Sequence, residues 1–390
     1  MSEHSPAQPR FDAVLGQLGE PDSRRLVTTP ALVCEIDLLD QNITRMQTMG
    51  ASNGVAIRPH VKSHKSAFIA KRQLDAGAAG LACAKLSEAE AIIGRFDANE
   101  DERRVSVLLT SPLAGEAAAA RAVALATWCE MIVVADHLDG IDELAKAANE
   151  ADTELTVLCD VDVGLGRTGA AGPAQALALV ERIEQSTRLR FGGVQGYGGH
   201  LQHIVGRESR REATRESTQK LADVVTALEA RGWAVPLRTG GGTGTSMLDV
   251  EIGLLNELQP GSYVFMDREY RDALGDDEEG RFHQSLSIVT TVISTNQTGF
   301  VTVDAGLKSM ATDAGAPRVV GHDSTIEFHF FGDEQGLVTN GADGPLRRGE
   351  RLELVPPHCD PTVDRYDVIW LTRDDVVIGF ADVDARGCSQ

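Results

Sequence analysis

Between residues 31 and 242 the chain alternates between short apolar runs and longer segments with helical spacing, which restricts the folds open to it. The runs fall at 31–37, 55–61, 80–84, 104–110, 131–136, 154–162, 191–197 and 236–242. Between them lie 38–50, with Leu39, Ile43 and Met46 on one helical face, then 65–74, the Ala-rich 114–128, 138–150, 173–186 and 207–231. A strand followed by a covering helix, repeated, buries both faces of a parallel sheet. Eight such units predict an α/β fold built on a (β/α)8 barrel. A doubly wound open sheet is the alternative, because periodicity carries no information about closure.

From about residue 281 the texture changes. Strand-like runs at 283–295, 300–305, 326–339, 351–355 and 367–383 are separated by turn signals such as Asn340-Gly341 and Asp343-Gly344-Pro345, with no helical pattern among them. A chain of 390 residues also exceeds one ordinary core. The expected organisation is a lead-in over 1–28 that is free to join the β domain, a barrel over 29–275, and an all-β domain over 276–390.

Charge narrows the partners. Carboxylates outnumber bases 58 to 37, a formal net charge of −21, which argues against nucleic acid and anionic membranes. Met1 to Arg10 is polar, without the apolar segment of a signal peptide, and no apolar run is long enough to span a bilayer. The six cysteines are scattered and form no CxxC pair, so reduced, packed thiols and a cytoplasmic location are expected.

Five stretches could carry chemistry. In Arg58-Pro59-His60-Val61-Lys62-Ser63-His64-Lys65, Lys62 falls at the carboxyl end of a strand, where α/β folds place their active sites. Desolvation and the neighbouring basic groups would release its proton for attack on a carbonyl; a solvated basic turn is the plain alternative. Thr239-Gly240-Gly241-Gly242-Thr243-Gly244-Thr245, with Gly261-Ser262-Tyr263 beyond it, suits a phosphate cradle, against a merely flexible turn. Arg167, in a Gly-rich strand-end turn, could hold a phenolate or carboxylate oxygen, or form a rim salt bridge. Tyr197 to His203 brings a tyrosine and two histidines to another strand end and offers a general base. On an extended backbone His358 and Asp360 would share one face, with Cys359 turned away, and could hold Mn²⁺, Mg²⁺ or Zn²⁺ with water completing the shell.

In order, the motifs RPHVKSHK, DVDVGLGRTG, GVQGY, TGGGTGT, ELQPGSYVFMD, DAGLKS and PPHCDPT resemble those of D-threonine aldolase and its relatives. The resemblance runs from about Thr29 to Gly387. It implies a pyridoxal-phosphate enzyme of the alanine-racemase-like fold (fold type III), commonly a dimer, that cleaves a D-3-hydroxy amino acid to glycine and an aldehyde. It further implies that Lys62 forms the Schiff base and that Arg167 and Tyr197 flank the cofactor. Thr239, Gly241, Gly242, Thr243, Gly261, Ser262 and Tyr263 would cradle its phosphate. His203 would take the substrate's β-hydroxyl proton, and His358 and Asp360 would bind a divalent metal, Mn²⁺ first among the candidates.

There is one departure. The aldolases of this family carry a histidine directly after the tyrosine, where this chain has Gly198 and places His200 two residues on. The related D-serine dehydratases carry histidine and cysteine at i, i+2 as zinc ligands; Asp360 at that position favours the aldolases, including the 3-hydroxyaspartate aldolases. The rival readings are a D-serine-type dehydratase or deaminase and a non-catalytic pyridoxal-phosphate-binding protein. The latter is usually a lone barrel.

Overall fold

The first apolar run folds as β1 (Ala31–Glu35), but it does not open the barrel. It lies inside a second sheet, antiparallel to one neighbour and parallel to the other, with Ala31, Leu32, Val33 and Cys34 all buried. A strand covered on both faces reads as an unbroken apolar run whichever sheet it joins, so the repeat pattern counted it with the barrel. The computed structural model describes residues 12–96, 104–275, 282–321, 325–339 and 346–390. Met1 to Arg10, the 276 boundary and the turn signals at 340–345 lie outside the described residues.

Two units make up the chain. The first comprises Thr44–Tyr263, Asp272–Arg281 and Gly387–Gln390. Its strands are β2 (Ala56–Ile57), β3 (Leu81–Cys83), β4 (Ser106–Leu109), β5 (Glu130–Ala135), β6 (Leu155–Asp160), β7 (Leu189–Gly196), β8 (Leu237–Gly240) and β9 (Glu257–Leu258). They pair in parallel in the order β2-β9-β8-β7-β6-β5-β4-β3. A parallel bridge between His60 and Ala82 joins the two ends and closes the barrel. The place expected for 31–37 is taken by β9, whose two residues are too few to show a period. Leu108, Ile132, Val134 and Leu158 pack with Leu237 in one apolar cluster. Each such side chain contributes about 1.5–3 kcal/mol on burial.

The second unit comprises Met1–Ile43, Val264–Arg271 and Phe282–Arg386. It adds β10 (Leu286–Ser294), β11 (Phe300–Val303), β12 (Arg318–Val319), β13 (Phe328–Phe330), β14 (Gly336–Thr339), β15 (Arg351–Val355), β16 (Val368–Arg373) and β17 (Val376–Asp382). The sheet runs β13-β14-β11-β10-β1-β16-β17, with β15 paired to β10 and β12. The runs at 326–339 and 367–383 each fold as an antiparallel pair rather than one strand. Part of the lead-in is structural: Val14 and Val27 join Ala31, Val33, Val289, Trp370 and Val377 in the core. A short helix at Cys359–Val363 also interrupts the strands, where the sequence showed no helical pattern. Among the described residues no helix is long and apolar enough to cross a membrane.

Candidate active site

Lys62 sits in a 3-10 turn, Val61–Ser63, five residues past the end of β2. The turn is built by its neighbours. The His60 Nδ1 accepts the Lys62 amide at 3.4 Å, and the Ser63 hydroxyl donates to the His60 carbonyl at 3.1 Å. Val61 and Ser63 are buried while Lys62 is partly exposed. Lys62 Nζ lies 5.9 Å from the centroid of the Tyr197 ring, and Arg167 Cζ lies 5.6 Å from the same centroid. Lys62, after β2, and Arg167, after β6, thus converge on one aromatic ring carried past the end of β7.

Three basic neighbours of Lys62, namely Arg58, His60 and His64, are engaged elsewhere. Arg58 is buried and paired with buried Glu257, Nε to Oε1 at 2.8 Å, so its charge is neutralised inside the barrel. His64 accepts the Ser66 amide at Nδ1 (3.1 Å) and faces the Gln73 amide oxygen through Nε2 (3.2 Å). That oxygen only accepts, so Nε2 carries the proton. His60 likewise accepts at Nδ1, which leaves Nε2–H for the Thr110 hydroxyl at 3.1 Å. Both patterns are those of a neutral imidazole.

Beneath the turn runs a polar network that the sequence did not reveal. Gln195 Nε2 donates to Asp160 Oδ1 at 2.9 Å, and Gln259 Nε2 donates to Gln195 Oε1 and Thr239 Oγ1 at 3.2 and 3.0 Å. Thr239 in turn donates to Glu257 Oε1 at 2.9 Å. Burial pushes the Asp160 carboxyl up to about 6, against the pull of its bonds from Gln195 and Thr168. The Thr168 hydroxyl bond to Asp160, 2.8 Å, pins the turn that carries Arg167.

The glycine loop after β8 is tied down on several sides. Gly241 has φ +66, and a Cβ there would lie 2.4 Å from Asp249 Oδ2. The amides of Gly242 and Gly244 donate to Thr245 Oγ1 (3.2 Å) and Gln202 Oε1 (2.9 Å). The Tyr263 amide donates to Thr243 Oγ1 at 3.1 Å, and the fully buried Tyr263 hydroxyl accepts from Gln73 Nε2 at 3.0 Å. The side chains of Thr239 and Tyr263 are thus bonded within the protein, while the buried Thr243, which accepts the Tyr263 amide, and the buried Ser262 stand on the two loops. At Gly261 a Cβ would stand 3.2 Å from the His60 carbonyl, so this segment links the Lys62 turn to the glycine loop. An amine, a guanidinium over an aromatic ring, and a hydroxyl- and glycine-rich loop form a donor set that fits an aromatic aldehyde bearing a phosphate.

His203 follows the 3-10 turn Gly199–Leu201 and is partly buried, whereas His200 is exposed. Gln202, between them in sequence, is buried and bonded to the glycine loop. The sequence offered no reason to single it out, since a glutamine beside two histidines reads as surface loop.

In the other unit, His358 caps the helix Cys359–Val363 with extended backbone, and Asp360 lies in that helix's first turn. The continuous extended backbone expected for the His358–Asp360 pair is thus replaced by a strand-to-helix corner. Pro361, harmless in a first helical turn, permits it. His358 Nδ1 and Asp313 Oδ2 are 2.7 Å apart. The Cys359 amide donates to Asp267 Oδ2 at 2.9 Å, while the Cys359 side chain is buried. Burial opposes charge on His358, but the fields of Asp360, Asp313 and Asp267 outweigh it and raise its pKa. Burial pushes the Asp267 carboxyl up to about 6. Among the described residues no three histidine, cysteine or carboxylate side chains converge as a metal cage. A cation here would have two protein donors and water.

Sequence and structure comparisons give the chain its relatives. Residues 35–269 match the alanine racemase N-terminal domain, and residues 285–372 match a serine dehydratase domain. The chain is 35% identical over 376 residues to a D-threonine aldolase of Arthrobacter, covering 96% of both chains. It is 34% identical to a 3-hydroxy-D-aspartate aldolase of Paracoccus denitrificans, covering 93% of this chain and 92% of that one. The crystal structure of D-threonine aldolase from Filomicrobium marinum superposes with a TM-score of 0.89 at 30% identity, covering 94% of this chain and 98% of that one. The chain belongs to the alanine racemase N-terminal domain family, within the group that contains D-threonine aldolase and 3-hydroxy-D-aspartate aldolase.

Proposed function

We infer that this protein is a pyridoxal-phosphate-dependent lyase that cleaves D-3-hydroxy amino acids to glycine and an aldehyde. The observation that carries the reading is the convergence of Lys62 and Arg167 on the Tyr197 ring, in a chain akin over nearly its whole length to two aldolases of such substrates. Pyridoxal phosphate, when bound, supplies an aldehyde for an amine to condense with and a ring that accepts an electron pair. Lys62 is the amine that retains it. Tyr197 and Arg167 orient its ring and oxygen, and Thr243 and Ser262 receive its phosphate together with backbone amides of the loops.

His203 takes the proton from the substrate's β-hydroxyl. As that O–H bond breaks, the C–O bond becomes a carbonyl and the Cα–Cβ electron pair stays with Cα; a proton returned to Cα completes glycine. His358 and Asp360 would hold a divalent cation, Mn²⁺ before Mg²⁺ or Zn²⁺, whose chemistry is Lewis acidity toward a hydroxyl. All six cysteines are free thiols, which supports a reducing, cytoplasmic setting, and a homodimer belongs to the same reading.

A second reading rests on the serine dehydratase domain match over 285–372, which favours loss of the β-hydroxyl with release of a 2-oxo acid and ammonia. Asp360, where those dehydratases carry cysteine, weighs against it. Product analysis with D-threonine, D-phenylserine, D-3-hydroxyaspartate and D-serine, with and without Mn²⁺, decides between them. Glycine with an aldehyde is the expected outcome, and ammonia with a 2-oxo acid as the only products would overturn the aldolase reading.

A further inference from the structure

Gln202 is only 1% exposed, and both ends of its amide are committed. Nε2 donates to the Gly198 carbonyl at 3.1 Å and to Thr245 Oγ1 at 3.2 Å, and Oε1 accepts the Gly244 amide at 2.9 Å. These partners fix the amide's orientation, because the Gly244 N–H can only donate and the Gly198 carbonyl can only accept. The Thr245 hydroxyl gives its proton to Asp249 Oδ2 at 2.7 Å and takes Gln202 and the Gly242 amide on its lone pairs. One side chain therefore bonds both the 197–203 segment and the glycine loop.

The loop's glycines make room for this residue, Gly242 for its side chain and Gly244 for its backbone. A Cβ at Gly242 would lie 2.5 Å from Gln202 Oε1, and one at Gly244 would lie 2.1 Å from the Gln202 carbonyl. Part of what reads as an anion-binding signature is therefore a socket for a buried glutamine. Its bond to Gly198 falls between Tyr197 and His203, so a shift of the loop moves both residues.

We propose that Gln202 is a positioning residue that couples the glycine loop to the Tyr197–His203 segment, so that seating a phosphate on the loop sets the place of the base. The inference rests on the function proposed above, and its test keeps the two separable. Pyridoxal phosphate is titrated into cofactor-free wild type, Gln202→Leu and Gln202→Glu, and hydrogen exchange of the 197–203 amides is followed with and without it. Removing buried partners at both ends should weaken pyridoxal phosphate binding by about tenfold or more in Gln202→Leu. In wild type the cofactor should slow exchange over 197–203, and in Gln202→Leu that response should vanish. Gln202→Glu keeps the acceptor for Gly244 but loses the donor pair, so it should fall between the two and stand in should the leucine variant not fold. At saturating cofactor kcat should fall while KM holds. Unchanged affinity, or weaker affinity with the exchange response intact, would overturn the coupling. If wild type shows the response but cleaves no D-3-hydroxy amino acid, the aldolase reading fails and the coupling stands.

Discussion

Lys62 Nζ and the Tyr197 ring face each other at 5.9 Å, within cation–π reach. Lys62→Ala should abolish both turnover and the visible-edge absorbance expected of bound pyridoxal phosphate. Retention of that absorbance would remove Lys62 from its role. Tyr197→Phe, which keeps the ring, should retain the cofactor better than Tyr197→Ala, as measured by equilibrium dialysis.

The second prediction concerns the base. His203→Ala should lower kcat by about 10²–10⁴, the usual loss for a general base, and should remove the acid limb of the kcat–pH profile. An unchanged profile would shift the role to the exposed His200 or to water.

For the cation, dialysis against EDTA should stop turnover while leaving pyridoxal phosphate bound, and Mn²⁺ should restore it. Asp313 faces Nδ1 of His358, so Nε2 would be the donor offered to the proposed cation. Loss of such a partner typically costs about 10–100-fold in metal affinity. Calorimetric titration of Mn²⁺ into Asp313→Ala should show a loss of that size, and EDTA-resistant turnover would refute the cation's role altogether.

Burial raises the Asp249 carboxyl to about 7, against its bond from Thr245. Its unfolded value is about 3.9, so between about pH 4 and 7 the folded state binds the extra proton and stability falls as pH rises. In that window the slope should approach about 1.4 kcal/mol per pH unit from this residue alone. Asp249→Asn, which can still accept from Thr245, should flatten it in urea denaturation curves taken across the window.

The Arg58–Glu257 pair lies in the barrel with side-chain exposures of 5% and 3%. Glu257→Leu strands a buried guanidinium and should cost about 3–5 kcal/mol, while the double change Arg58→Met with Glu257→Leu should recover most of it. Denaturant midpoints of the single and double variants check this. Equal destabilisation in both would show that packing, not charge, governs the site.

What the sequence revealed depended on the range of the forces involved. Strand–helix alternation is local and gave the architecture, yet it could not say which sheet an apolar strand joins, so 31–37 was counted with the barrel and Glu257-Leu258 went unseen. Lys62, Arg167, Tyr197 and His203 were visible as reactive residue types at strand ends. Their context was not: Arg58 looked like a source of charge until Glu257, 199 positions away, proved to be its partner. Gln202 carried no local signal at all, because its bonds to Gly244 and Thr245 span 42 and 43 positions.

The seam at β1 constrains how the molecule is made. That strand accepts β10 on one side and β16 on the other, with Val33 level with Trp370, so one of its edges stays open until Val368–Arg373 has been synthesised. The barrel, drawn mainly from one continuous span, is under no such delay. Until β16 emerges, the apolar run Ala31 to Cys34 has an open edge available for non-native pairing. A circular permutant that begins after Ile43 and restores 1–43 behind Gln390 would shorten that wait.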